Sequence, residues 1–288
     1  MEKIILHCPM NISRSFSDMI KEFIQKKDKT EIIEVYVEPH RLEPENTLLK
    51  NIRAGNTPAL YIGHATDFAL LEQQDILDNF EMVPALPLAE RLKKMGFEDS
   101  RHRLHPFTVI PYGVIYNKKL VGDKRVVGWQ DFGDPQYCGK IRMPDRRRTI
   151  SKVIDGAMKM YFPDSYEQFI ANCTFNGSPI DVVNSVDEGE FYYGMVNIAF
   201  SRFSRLKNTD IIWMNEGAFC MPQVIAIGKG KYDMVRDIAD YIFSPPVQNF
   251  MALQGFIPAV SGEVPAILKK ENLKLIWKDW ESFLKSTA

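Results

Sequence analysis

Several groups of residues in this chain have types and spacings that could do chemistry. His7, Cys8 and Met10 close the first apolar run, and Cys220 and Met221 form a second pair far along the chain. Thiol, thioether and imidazole so near one another are soft donors, suited to an ion such as Cu(I); packing residues would look the same. Asn11, Ser13 and Arg14 stand ahead of one helical pattern, and Arg146, Arg147, Arg148 and Thr149 ahead of another. Helix N-termini expose free N–H groups and a positive dipole end, so both places suit phosphate, phosphonate, sulfonate or carboxylate, with arginine adding a bidentate fork. The basic run equally suits a solvated loop, since most charge runs face water. Ser201 and Arg202 follow an apolar segment and make a third anion candidate. His64 and Thr66 lie in the loop from Gly63 to Asp67, where His64 could donate to an anion, sense pH or bond to backbone. Tyr112 could wall a pocket, and Glu216 could receive an ammonium group or cap a turn; for both a hinge role is the structural alternative.

The elements that must position these residues alternate. Lys3 to Leu6 is strand-like, and Phe16, Met19, Ile20, Phe23 and Ile24 then recur at one-face helical spacing, with Asn11 or Ser13 as the natural N-cap. Strands at Ile32 to Val37 and Ala59 to Ile62 follow, which predicts a parallel α/β sheet with ligands at the carboxyl ends of its strands, His7 to Ser13 and Gly63 to Asp67. Phe107 to Asn117 is too long and too interrupted by Pro111 and Gly113 for one central strand, so it is expected to cross between two sheets. Beyond it the pattern restarts: a short strand at Lys140 to Met143, a helix over Thr149 to Tyr161, strands at Gly194 to Phe200, Ile211 to Met214 and Gln223 to Ile227, and a helix from Met234 to Ile242 that Ser244, Pro245 and Pro246 stop.

The 288 residues suit about two domains. Thirty-six basic against 37 acidic residues provide no global field for nucleic acid or anionic lipid, so recognition falls to local sites. The four cysteines show no zinc or thioredoxin spacing, so neither a structural zinc site nor a thioredoxin-like motif is indicated, and no cofactor is expected. No run of 18 or more apolar residues exists, so no membrane span is expected, and no hydrophobic leader is seen ahead of the first strand. Two locations stay open: extracytoplasmic if a signal peptide was removed, cytoplasmic if Met1 is the native start.

The order of these landmarks resembles the type II periplasmic binding-protein fold, and within it the ABC-transporter solute-binding proteins of the iron(III), polyamine and thiamine group. TPALYIGHATDFALLEQQDIL (57–77) resembles the strand, cleft loop and helix of the first lobe, PYGVIYNKKL (111–120) the first interlobe crossover, and WQDFGDPQYCGKIRMPD (129–145) the run W-x-D-L-x-D-P-x-x-x-G-K-I. VDEGEFYYGMVN (186–197) is similar to the segment before the second crossover, and the stretch from Trp213 to Val260 to the return into lobe one. The resemblance implies two lobes, each a mixed, mostly parallel sheet flanked by helices, with a ligand cleft between them: 1–109 plus 215–256, and 110–214 plus 257–288. It implies ligand capture by hinge closure, a monomer, delivery to a membrane ABC permease, and no enzyme activity.

The iron-binding members of the group place two adjacent tyrosines after a Gly-rich strand, and a histidine after the first strand. Matching Gly189, Gly194 and Asn197 to that pattern puts the tyrosine positions near Ala199 and Phe200 and the histidine position near Met10, while Tyr192 and Tyr193 fall before the strand. Phenolate-bound Fe(III) is therefore disfavoured. The leading expectation is a receptor for a small anion, with ligand residues among Asn11, Ser13, Arg14, His64, Thr66, Tyr112, Arg147, Arg148, Thr149, Ser201, Arg202 and Glu216. The alternatives are a cytoplasmic sensor or enzyme reusing the fold, and a protein that binds iron or a soft metal. Against catalysis, the chain lacks G-x-S-x-G, H-E-x-x-H, P-loop and G-x-G-x-x-G motifs.

Overall fold

A computed structural model of the protein describes residues 1–40, 46–83, 86–260 and 273–288. The chain opens with β1 (Glu2–His7), α1 (Met10–Lys26), β2 (Ile33–Val37), α2 (Thr47–Arg53) and β3 (Leu60–His64). β1 lies between β2 and β3 and pairs parallel with both. α1 covers this sheet because Ile12, Phe16, Ile20 and Ile24 share one buried face while Arg14, Lys21 and Glu22 face water. Its N-cap is Pro9, whose carbonyl accepts from Ile12 and Ser13 N–H at 3.0 Å each. Asn11 and Ser13, the expected caps, are thus inside the first turn: the chain leaves β1 and enters the helix within two residues.

After β3 come a 3-10 turn (Ala65–Phe68), α3 (Gln73–Asn79) and α4 (Glu90–Lys94), and then the 13-residue β4 (His105–Asn117). β4 is followed by α5 (Lys118–Val121), β5 (Ile141–Met143), α6 (Thr149–Tyr161), α7 (Pro163–Asn172), β6 (Cys173–Phe175), α8 (Pro179–Glu188), β7 (Tyr193–Asn197) and α9 (Ile198–Ser201). β8 (Thr209–Ile212), β9 (Ala218–Ile227), α10 (Tyr232–Ile242), α11 (Pro245–Leu253), β10 (Ile257–Pro258), β11 (Leu275–Ile276) and a C-terminal helix (Trp280–Thr287) complete the described chain.

The strands run in the order β2-β1-β3-β9-β4-β7-β5-β6. β4 joins the two halves. Its residues His105 to Pro111 pair with β9, and Tyr112 to Asn117 pair with β7 and β8, so the strand leaves one sheet and enters the other between Pro111 and Tyr112. This is the crossing that the proline and glycine in the segment suggested. In the second half β7, β5 and β6 are parallel neighbours. The fold is α/β throughout, mixed sheets flanked by helices.

One local expectation needs correction. The strand expected over Gly194 to Phe200 stops at Asn197, whose side-chain oxygen accepts the Ala199 N–H at 3.0 Å and turns the chain into α9. Ser244, Pro245 and Pro246 end α10 and also begin α11, because proline at the first helical position lacks only an N–H that would be unpaired anyway. At the C-terminus, β11 pairs with β9, Trp277 stacks on Phe97 at 4.4 Å, and the last helix lies against α6. A Cβ on Gly156 of α6 would sit 2.1 Å from the Ser286 carbonyl, so only glycine permits that approach. Of the stretches expected to form the two lobes, 41–45, 84–85 and 261–272 lie outside the described residues.

Candidate functional site

The order β2-β1-β3 brings three histidines together. His7 ends β1, His64 ends β3, and His40 lies three residues past β2, so three neighbouring parallel strands each deliver an imidazole at their carboxyl end. The His7 and His64 rings meet edge to face with centres 4.5 Å apart, and the His7 and His40 centres are 6.5 Å apart. Gly63 makes this possible: a Cβ there would lie 2.2 Å from the His7 carbonyl oxygen and 2.6 Å from the Tyr61 hydroxyl.

Each imidazole has its own electrostatic setting. His7 Nδ1 bonds Asp67 Oδ2 at 2.5 Å, and the Tyr61 hydroxyl donates to the same oxygen. Burial alone would lower the His7 pKa, but the facing Asp67 carboxylate outweighs it and raises the pKa above the ordinary value. Burial pushes Asp67 up, and His7 together with the bonds from His7 and Tyr61 overcomes that and holds it below the usual carboxylate range. Burial, reinforced by the positive charge on His7, lowers His64 to about 3 and His40 to about 4, so both are neutral at pH 7. His64 Nδ1 is 2.7 Å from Gln223 Nε2, and His40 Nε2 is buried without a hydrogen-bond partner.

Across the cleft stands the N-terminus of α6. Its N-cap, Arg148, makes no side-chain cap hydrogen bond to the first-turn N–H groups. The three arginines take three different fates. Arg146 lies over the Phe175 ring at 3.8 Å, and Arg147 forms a bidentate pair with Asp145 at 2.8 and 3.0 Å. That pair holds the Asp145 carboxyl far below its usual range. Arg148 reaches over the cleft, its Nη1 3.9 Å from Met10 Sδ and its Nε buried with no partner.

The cleft has an empty volume of about 730 Å³, part of it open to solvent, and it is lined by both faces: His7, Met10, His40 and His64 on one side, Arg147, Arg148, Thr149 and Pro179 on the other. Tyr112 and Ile110 of β4, Met221 of β9 and Asn197 of β7 also line it, at the point where those strands cross. Among the described residues, no three His, Cys, Asp or Glu side chains are grouped so as to hold a metal ion by themselves.

Of the expected ligand residues, His64, Tyr112, Arg147, Arg148 and Thr149 line the cleft. The others do not. Asn11 Nδ2 donates to Gln254 Oε1 at 3.4 Å, Ser13 is buried in α1, and Arg14 is exposed on it. Thr66 turns its hydroxyl toward Met221 Sδ at 4.0 Å, behind the lining. Ser201 bonds the Ile198 carbonyl and Arg202 the Leu253 carbonyl, both at 2.8 Å, because the chain curls into α9 before reaching the cleft. Glu216 accepts from the Trp129 N–H at 3.4 Å and braces a turn. The soft-donor set also loses its thiols: Cys8 Sγ points at the Ile62 carbonyl and Cys220 Sγ at that of Ile276, and burial pushes both pKa values up. Met10 and Met221 remain in the lining. His40 escaped the sequence reading because it sits in a polar segment after β2; its position just past a parallel strand is the signal that marks it.

The family model for bacterial extracellular solute-binding proteins matches residues 60–286. The chain belongs to that family. No curated protein sequence matches it. Its fold is shared with solved two-lobed relatives. Apo ferric ion-binding protein A of Pasteurella haemolytica superposes with a TM-score of 0.78 at 16% identity, covering 100% of this solute-binding protein and 95% of that chain. A structure described as a two-component system protein that mediates signal transduction has a TM-score of 0.75 at 17% identity, covering 100% of both chains. The Trichodesmium protein IdiA (FutA), solved with iron and citrate ligands, has a TM-score of 0.73 at 13% identity, covering 99% of this chain and 94% of that one.

Proposed function

We propose that this solute-binding protein serves an ABC importer outside the cytoplasmic membrane and that its cargo is a metal ion carried with a small chelating anion. One observation carries the reading: the cleft has two chemically different faces. One presents three imidazoles, two of them neutral at pH 7, and the other presents Arg148 and the uncapped N-terminus of α6. Imidazole lone pairs suit a metal, and the arginine with a helix N-terminus suits an anion. A ligand that satisfies both is a metal–carboxylate or metal–phosphate complex. The protein's own donors do not complete a metal site, which fits a cargo that brings oxygen ligands with it. Two of the structural relatives are described as ferric ion-binding or as holding iron and citrate, which supports a metal over a bare anion. The protein's role is then capture and hand-over to a membrane permease, with no bond broken.

Isothermal titration of metal-stripped, tag-free protein tests this. Metal citrates are expected to bind at least tenfold more tightly than citrate or phosphate alone. Arg148→Ala is expected to weaken binding of the complex by about 1.5–3 kcal/mol, the range for a lost charge-assisted hydrogen bond. Equal affinity for citrate with and without metal would overturn the metal and return the cleft to a simple anion receptor.

A further inference from the structure

The apolar surface of the cleft narrows what its anion can be. Among the described residues no three His, Cys, Asp or Glu side chains are grouped to hold a metal ion, so the ion's ligands come with the cargo and recognition falls on the chelator. The floor is Ile110 and Tyr112 of β4 with Met221 of β9, each at most 3% exposed. One wall carries Ile150 in the first turn of α6, Pro179 at the start of α8 and Phe200 of α9. The other carries Pro9, Met10 and Pro39, just past the ends of β1 and β2. Three of these residues are prolines, which have no N–H to offer a polar ligand. The Pro9 carbonyl is also spent, on the Ile12 and Ser13 N–H groups. These stretches of both walls therefore present carbon.

Polar groups left uncommitted come from the half of the fold built on β5, β6 and β7. Arg148 Nε is buried without a partner, and the Thr149 hydroxyl makes no hydrogen bond among the described residues. Asn197 is 5% exposed; its Oδ1 accepts the Ala199 N–H at 3.0 Å, which leaves Nδ2 unpartnered among the described residues. This set suits one carboxylate or phosphate head. The remainder of the cleft does not suit a wholly polar ion such as citrate, whose further oxygens would be buried against carbon at a cost in free energy. A flat ring covers the same walls and gains from its burial. The empty volume of about 730 Å³, part of it open to solvent, and a mostly apolar lining with a few placed donors are the ordinary make-up of a site for a ring-bearing small molecule.

We propose that the cleft selects an aromatic oxyanion over an aliphatic one, its carboxylate or phosphate held by Arg148, Thr149 and Asn197 and its ring laid between the two apolar walls. The inference rests on the metal–anion reading above and names the class of its chelator, a ring-borne one such as a hydroxybenzoate. Tag-free, metal-stripped protein is titrated calorimetrically with salicylate and with 3-hydroxypropanoate, which keeps the carboxylate–hydroxyl spacing without the ring. Phenyl phosphate and methyl phosphate repeat the comparison for the other head, and Fe(III) salicylate, Fe(III) citrate and citrate complete the set. The aromatic member of each pair is expected to bind at least tenfold more tightly than its aliphatic match, with a more negative heat-capacity change. Fe(III) salicylate is expected to bind at least tenfold more tightly than Fe(III) citrate. Phe200→Leu and Ile150→Thr are each expected to weaken salicylate at least threefold and to leave 3-hydroxypropanoate unchanged; Ile150→Thr keeps the test sound because Phe200 also packs on Phe203. Thr149→Val, at the head, is expected to weaken both alike. Equal affinity within both pairs, with Fe(III) citrate still tighter than citrate, would overturn the ring and leave the metal–anion reading standing. A ring preference that metal does not improve would uphold the ring and overturn the metal.

Discussion

Asp67 is expected to stabilise the fold within a bounded pH window, and its replacement by alanine shows both edges. The substitution leaves the His7 Nδ1–H and the Tyr61 hydroxyl without their shared acceptor, in surroundings where the two ionic side chains are only 14% and 16% exposed. Removing one partner of a buried pair costs about 3–5 kcal/mol, and residual solvent access brings the expectation to about 2–4 kcal/mol. At about 2–4 °C per kcal/mol for a chain of this size, the melting temperature falls by about 4–16 °C. The pH dependence follows from the two opposite pKa shifts. Asp67 is held low in the folded protein, so its contribution is full above the unfolded carboxylate value of about 3.9 and is lost as pH falls through the lower folded value. His7 is raised, so its contribution is full below the unfolded value of about 6.5 and is lost as pH rises through the higher folded value. The difference in melting temperature between wild type and Asp67→Ala, measured by calorimetry from pH 3 to 9, should therefore form a plateau between about pH 4 and 6.5 and shrink on both sides. A difference that stays constant across the range would refute the ion pair as its source.

Three further substitutions test how the site is held. Asp187 is 2% exposed and accepts from Ser204 Oγ, the Leu206 N–H and the Asn208 N–H at 2.7–2.9 Å. Asp187→Ala should cost about 2–4 kcal/mol, with faster amide exchange across Ser204 to Asn208 as the local readout. The Gln248 amide donates to the Phe107 and Ile242 carbonyls and accepts from the Ala259 and Val260 N–H groups. Gln248→Leu orphans all four, and urea unfolding should show a loss of about 3 kcal/mol or more. Gly63→Ala drives a methyl to within 2.2 Å of the His7 carbonyl. It should cost about 1–3 kcal/mol by overpacking and displace His7 from His64, so metal affinity should fall further than stability does.

The parts of this protein that were legible in its sequence are those governed by neighbours along the chain. The face of α1 was visible because Phe16, Ile20 and Ile24 repeat at helical spacing, and the span Thr149 to Tyr161 coincides with the observed α6. The crossing in β4 was legible through Pro111 and Gly113, since such residues do not suit the middle of one sheet. What failed depended on local competition. Asn11 and Ser13 are good caps by type, but the short link through Cys8 and Pro9 starts the helix earlier. Ser201 and Arg202 were aimed at the cleft by a strand that Asn197 ends three residues sooner.

The fate of the arginine run was decided by contacts the sequence order does not display. Phe175 takes Arg146, Asp145 takes Arg147, and Arg148 reaches across to Met10. The histidines show the same limit in its strongest form. His7, His40 and His64 are separated by 33 and 24 positions, and nothing in their spacing brings them together. The strand order does, because β1 sits between β2 and β3, and every residue at a carboxyl end of that parallel set is delivered to one edge. A residue just past each parallel strand therefore merits the attention usually given to motifs. By that rule Pro39 and His40 belong to the cleft as much as the loops around His7 and His64, and the cleft changes from an anion pocket with one histidine into an imidazole face set against an arginine.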